Sequence, residues 1–249
     1  MILYFSATGN GKYTAERIAS ACGEKACSIE VTGRCIDIKE DEMLGIVTPT
    51  YFWELPIIVR EYLEQMAVSG NCCPYTFVIA TYGTTPGAAG TDALHILKKK
   101  GIKVSALYSV CMPDTWTPIF DLSSTEKVNA RNKAADAEIE GVIRCIKERK
   151  PGNMMKRSVP YPARYISDIL YKRMRKTKNF RVEENCTGCG LCESRCPANA
   201  ISMKAGKPLW VKESCIMCLR CLHHCPQFAI QYGKNTKKHG QYRHPEADS

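Results

Sequence analysis

No apolar run in this 249-residue chain approaches 18 positions, the length a membrane-spanning helix needs. Met1 leads straight into Ile2-Leu3-Tyr4-Phe5 with no basic leader, so a secreted chain is not expected and a reducing cytoplasm is. In that compartment the fifteen cysteines are not read as a disulfide framework. Nucleotide signatures are incomplete as well. The stretch Ser6-Ala7-Thr8-Gly9-Asn10-Gly11-Lys12 lacks the first glycine of a Walker A loop, and Tyr13 follows where Ser or Thr is required. A dinucleotide fingerprint starts correctly at Gly9-x-Gly11, with Glu30 about the right distance on, but fails at Thr14, its third position. Acidic residues are scarce in one segment only. Residues 147–181 hold twelve Lys/Arg against Glu148 and Asp168, a net of +10 that equals the charge of the whole chain. The remainder is balanced, so global charge gives no support to nucleic-acid binding.

Near the C-terminus, two cysteine runs share one pattern. Cys186-x2-Cys189-x2-Cys192-x3-Cys196-Pro197 is followed 29 residues later by Cys215-x2-Cys218-x2-Cys221-x3-Cys225-Pro226. This is the spacing of bacterial two-cluster ferredoxins, in which the fourth cysteine of each run ligates the other run's cluster. Cys186, Cys189, Cys192 and Cys225 are assigned to one 4Fe–4S cube, and Cys215, Cys218, Cys221 and Cys196 to the other. Structural zinc also uses Cys-x2-Cys pairs, but needs only four ligands per site. Two complete repeats with both prolines weigh against it. Each oxidised cube with four thiolates carries about −2, which the formal charge omits. His223 and His224 fall inside a complete cysteine set and are read as neighbours that tune the second cluster rather than ligands. The other seven cysteines are read as reduced thiols.

Ahead of these runs, strand and helix patterns alternate. Strands are expected at residues 2–5, near 27–31, and at 43–48, 75–81 and 102–110. Helices fill the gaps, one starting at Pro56 and a long one capped by Ser123-x-x-Glu126. Five strands alternating with four helices imply an α/β, doubly wound, mostly parallel sheet with helices on both faces. The loops at 6–11, 48–56 and 81–87 all follow strands, so they should converge on one crevice. The first joins a strand to a helix N-terminus, where backbone N–H groups and the helix dipole can hold a phosphate.

Phe5-Ser-x-Thr-Gly-Asn10 resembles the phosphate loop of flavodoxins, which bind FMN. Thr48-Pro-Thr-Tyr-Phe-Trp53 is similar to their second loop, where an aromatic residue stacks on the isoalloxazine, and Tyr82-Gly83 to their third. Residues 1–233 as a whole resemble the flavodoxin–ferredoxin fusion proteins of anaerobes. The resemblance implies a flavodoxin-like five-stranded domain over 1–148 and a small α+β ferredoxin domain over 181–233; the residues themselves read as a basic helical connector over 149–180 and a polar tail over 234–249 that is expected to be disordered. It implies FMN contacts from Ser6, Ala7, Thr8, Gly9, Asn10, Gly11 and Lys12, from Pro49, Thr50, Tyr51, Phe52 and Trp53, and from Thr81, Tyr82, Gly83, Thr84 and Gly87. Phe52 or Trp53 is the expected flavin platform. Flavodoxins usually place Thr or Ser where Gly11 stands, so one phosphate hydroxyl is missing and Lys12 offers charge instead.

In the connector, Ile166, Ile169, Leu170 and Met174 recur at helical spacing among basic residues. The expectation is an apolar stripe docked on one domain, with an acidic redox partner meeting residues 164–181 next in rank and a peripheral membrane contact last. Together these patterns imply an electron-transfer protein carrying FMN and two 4Fe–4S clusters. Two alternatives stand beside it. One is an FMN-dependent reductase of a small substrate using Tyr82, Asp114 or Trp116; the other is an iron–sulfur redox sensor.

Overall fold

The computed structural model describes residues 1–39, 42–69, 75–156, 169 and 171–247. Cys72, Cys73, Arg164, Ile166 and Leu170 lie outside them. The first half runs β1 (Ile2–Tyr4), α1 (Asn10–Cys22), β2 (Ala26–Ser28), β3 (Cys35–Asp37), β4 (Met43–Pro49), α2 (Ile57–Gln65), β5 (Ala67–Ser69), β6 (Tyr75–Tyr82), α3 (Ala89–Lys99), β7 (Val104–Cys111), α4 (Thr125–Lys147) and β8 (Gly152–Asn153). β1, β4 and β6 are buried almost end to end, as strands covered on both faces must be. All pairings in the main sheet are parallel, in the order β2-β1-β4-β6-β7-β8. α1 and α4 cover one face, with Ile18, Ala135, Ile139 and Ile143 in its core. α2 and α3 cover the other, with Val59, Tyr62, Leu63 and Leu97.

The sheet therefore has six strands rather than five. The extra one is Gly152–Asn153, beside Ala106 and Leu107, where the sequence reads only as a helix end. β3 and β5 pair with each other apart from the main sheet and are too short to show a period. The long helix is capped by Ser124, whose hydroxyl accepts the Lys127 N–H at 3.4 Å, one residue beyond the expected Ser123.

The second half contains β9 (Phe180–Val182), α5 (Leu191–Ser194), β10 (Ile201–Lys204), β11 (Lys207–Trp210), α6 (Arg220–His223), β12 (Ile230–Tyr232) and α7 (Thr236–His239). β10 and β11 form an antiparallel hairpin, and β12 pairs antiparallel with β9. Leu219, Leu222, Ile230 and Tyr232 make a small core beneath them. Of the connector's expected apolar stripe, Ile169 is exposed and Met174 half-buried. The anchoring residue is Tyr171 instead, which is buried, stacks on Phe52 at 5.3 Å and donates to Ile216 O at 3.1 Å.

The described part of the polar tail, to residue 247, is not disordered. α7 and the following residues to 247 pack onto the molecule, with Thr236, Tyr242, His244 and Ala247 buried. Tyr242 donates its hydroxyl to Asn10 Oδ1 at 2.8 Å, the His244 N–H binds Thr8 O at 2.8 Å, and the His244 ring stacks on Tyr13 at 3.9 Å. Four buried anchors are enough to order a short polar segment whose average composition reads as disordered.

Candidate functional site

The eight cysteines gather in two places. One cavity is lined by Cys186, Cys189, Cys192 and Cys225, the other by Cys196, Cys215, Cys218 and Cys221. Each holds three cysteines of one run and the fourth of the other. The two-residue gaps curl three thiols of a tight loop inward; the x3 gap and the proline carry the fourth across. Backbone N–H groups reach sulfur at Cys196, Cys215 and Cys225, from Ala200, Met217 and Ala229 at 3.2–3.3 Å, and such bonds favour thiolate and tune cluster potential. Burial pushes the Cys218 thiol up to about 12, and Cys221 well above its ordinary value, so metal binding there must displace the protons. Among the described residues no three such side chains converge on a single ion. Sets of four around a cavity fit a cube, whose ligands stand apart around a shared core.

The loops at 6–11, 48–56 and 81–87 come together on a cleft of about 490 Å³ at the carboxyl ends of β1, β4 and β6, within the range of small-molecule sites. Ser6, Ala7, Thr8, Asn10 and Gly11, the whole of 49–53, and Thr81, Tyr82, Gly83 and Thr84 line it. Three expected contacts do not. Gly9 turns towards His244, Gly87 packs on the backbone of Trp53, and Lys12 donates to Ala247 O at 2.9 Å. The tail draws Lys12 to its own carbonyl, so that lysine does not compensate for Gly11 as expected. Gly11 itself has a steric reason: a Cβ there would stand 2.6 Å from Phe5 O. Among the described residues no side chain caps α1, which leaves its N-terminal dipole facing the cleft. The tight turn at 51–54 puts Phe52 and Trp53 at φ 50° and 66°, a conformation costing bulky residues about 1–2 kcal/mol each. Phe52 then stacks on Tyr171 and meets Trp116 edge-on at 4.9 Å. Trp53 is the more exposed of the pair.

What sequence reasoning missed is the far wall. Met217, Cys218 and Leu219 line this same cleft, so a cysteine of the second set faces the loops of the α/β half. Arg220 holds the two together. Its guanidinium meets both Glu30 carboxylate oxygens at 2.6 Å, donates to Ser6 O at 2.6 Å and lies over the Phe5 ring. Burial opposes its charge, but Glu30 and Cys218 raise its pKa above the usual value. Glu30 thus serves an ion pair, not a ribose. His224 accepts from Arg195 at Nδ1, leaving its Nε2–H for Ala7 O at 3.0 Å. The Tyr242 N–H occupies His223 Nδ1 at 3.1 Å, leaving Nε2–H for Thr115 O at 2.9 Å. Both rings are neutral tautomers engaged in docking. A polar residue inside a complete cysteine set was the available signal; only the fold says what it touches.

Crossed cysteine sets of this kind define an iron–sulfur, ferredoxin-type region in an α/β protein. Residues 185–230 match the model of a 4Fe-4S dicluster domain, and residues 142–200 match a second 4Fe-4S dicluster model. A stretch of 48 residues is 40% identical to NADH-quinone oxidoreductase subunit I of Flavobacterium psychrophilum, covering 19% of this chain and 26% of that protein. The chain thus spans about a quarter of the length of this curated relative. The Trp repressor binding protein from Bacillus subtilis aligns over 56% of this chain and 94% of its own, with 13% identity and a TM-score of 0.34, too slight a likeness to carry an argument. The C-terminal region is of the 4Fe–4S electron-transfer type. No helix among the described residues is long and apolar enough to cross a membrane.

Proposed function

We propose that this protein is a cytoplasmic electron carrier in which FMN occupies the cleft and exchanges electrons with two 4Fe–4S clusters. The carrying observation is that Cys218, assigned to the second cluster, lines the cleft that the three α/β loops surround. When bound, the flavin supplies a junction between electron pairs and single electrons, and each cube carries one electron at a time. Support for a flavodoxin-like first half comes from the strand order, since β2-β1-β4-β6-β7 follows the 2-1-3-4-5 winding whose switch point lies between the first and third strands. Ser6, Thr8 and the open N-terminus of α1 would hold the phosphate, Trp53 and Phe52 the ring. Arg220, His223 and His224 fix the second cysteine loop against this cleft. Met217 and Leu219 exclude water from its wall.

Cys189 is exposed and Cys218 is not, so the first cluster is the port for an external redox protein. Lys172, Arg173, Lys176 and Lys178 stand exposed on the connector, with Arg181 exposed on the adjoining β9, and suit a partner that is acidic where it docks. A substrate reductase is favoured by one observation only: Asp114 lines the cleft with its pKa raised by burial, as a proton donor's would be.

Anaerobic photoreduction with stopped-flow detection tests the carrier. Replacing Cys189 with Ala removes a ligand of the first cluster alone and should greatly slow flavin reduction through the ferredoxin end, with FMN still bound. A wild-type rate in that variant means the clusters do not feed the flavin, and the redox-sensor alternative then takes precedence.

A further inference from the structure

The loop after β7 brings two polar groups of opposite sense to the cleft. Asp114 Oδ1 accepts the Trp116 backbone N–H at 3.0 Å, while Oδ2 takes no hydrogen bond from a described residue. The carboxyl lies over Gly83, where a Cβ would stand 2.2 Å from Oδ2. Glycine at 83 is therefore what makes room for it. Burial raises the Asp114 pKa against the pull of the Trp116 N–H, so a further donor would be worth more here than in water. The Trp116 indole lines the same cleft, and its Nε1–H is buried with no partner among the described residues. Such an orphaned donor is rare and costly. Contact with Phe52 at 4.9 Å and Tyr232 at 5.9 Å holds the ring in place, so it cannot easily turn to find an acceptor.

We propose that Asp114 and Trp116 read an imide edge on the ligand of the cleft, the carboxylate accepting a ring N–H and the indole donating to a flanking carbonyl. This rests on the FMN reading, because an isoalloxazine carries that acceptor–donor–acceptor edge. Recognition is then divided between two sets of groups on the cleft. Loop 6–11 takes the anionic group, whatever it is attached to; Asp114 and Trp116 select the ring. An apolar aromatic of the same size would leave both groups unpaired, which is how polar sites reject close analogues.

The test uses the full chain with its clusters in place, freed of flavin and titrated anaerobically with FMN and with N3-methyl-FMN by fluorescence. Wild type should bind FMN about tenfold or more tightly than the methylated analogue, the weight of one charge-assisted hydrogen bond. Asp114→Ala should lose that preference by weakening FMN alone. Trp116→Phe, which keeps the ring, should weaken both ligands alike. Unchanged iron and sulfide content shows that each variant retains its ferredoxin region. Equal binding of the two flavins by wild type, which needs no variant, overturns the assignment and leaves the FMN reading standing; so does a preference that survives in Asp114→Ala. Absence of any FMN binding to wild type overturns both.

Discussion

The two cysteine runs have one spacing and one backbone path but opposite surroundings. Gly188 and Met217 sit at φ 72° and 56°, Gly190 and Leu219 at 77° and 54°, Asn199 and Phe228 at 46° and 48°, each pair 29 residues apart. The first run uses glycine where the turn needs a left-handed residue; the second accepts about 1–2 kcal/mol of strain at Met217 and at Leu219. Those side chains are what line the cleft. The substitutions between the cysteines follow one rule. Thr187, Leu191, Ser194 and Arg195 of the first run stand where Ile216, Arg220, His223 and His224 of the second reach the α/β half. On the proposed function, a repeat with the same metal chemistry serves as a port on one side and a junction on the other. The cysteines define the chemistry, and the residues between them define which cluster faces inward.

The sharpest way to break the pair is to remove one ligand from each. Cys189→Ala and Cys218→Ala should each lower iron and sulfide from about eight to about four per chain, by anaerobic analysis, and leave different electron paramagnetic resonance spectra. Stoichiometric zinc without sulfide in wild type would sink the cluster assignment altogether.

Removing the clamp should come next. Arg220→Ala leaves Glu30 and Ser6 O without their donor at a largely buried site (12% exposed for Arg220). Glu30 is 23% exposed, so the loss should fall between that of an exposed pair and the about 3–5 kcal/mol of a fully buried one. Arg181→Ala breaks an exposed pair with Glu183 at 3.3 Å and should cost under about 1 kcal/mol. Anaerobic denaturant titrations compare the two; similar losses would show that Arg220 is not what fastens the halves.

How far the sequence carried this comparison depends on the range of each pattern. Cysteine spacing is local and repeated, so both sets could be written down without a fold. The α/β reading came from periodicity in long, buried strands such as Tyr75–Tyr82, and β8 escaped it because two residues have no period. Lys12 looked like a phosphate ligand because charge is visible in sequence and direction is not. His224 was legible as a polar insertion between ligands and Arg220 drew no reading, because their partners Ala7, Glu30 and Ser6 lie about two hundred residues away. The tail escaped for the opposite reason: four anchors vanish into a polar average.

A smaller effect should appear at the phosphate end. Thr8→Val keeps the shape of a side chain that is 5% exposed on the cleft but removes its hydroxyl. Loss of a charge-assisted bond to phosphate is worth about 1.5–3 kcal/mol, so FMN should bind on the order of tenfold or more weakly. Affinity unchanged by the substitution would place the phosphate elsewhere.

The smallest effect should come from the tail. His244 is 2% exposed, stacked on Tyr13 at 3.9 Å, and its Nδ1 accepts the Glu246 N–H at 3.4 Å, so its proton sits on Nε2. Burial lowers its pKa from 6.5 to about 4, with Asp136 pulling the other way. A histidine depressed on folding binds its proton more readily once the tail is released. The docked tail is therefore fully favoured above pH 6.5 and loses stability as the pH falls towards 4. At pH 5.5 the loss is roughly 1 kcal/mol, since the free ring is mostly protonated there and the buried one is not. Limited proteolysis after residue 233 should accelerate several-fold between pH 7 and pH 5.5. His244→Phe preserves a stacked ring without a titrating group, so its cleavage rate should be flat over that range once the protease's own pH dependence is divided out. Equal pH sensitivity in both proteins would assign the change to another group. Tail release would then say nothing about His244, although the contacts of Tyr242 with Asn10 would still tie this segment to the cleft loop.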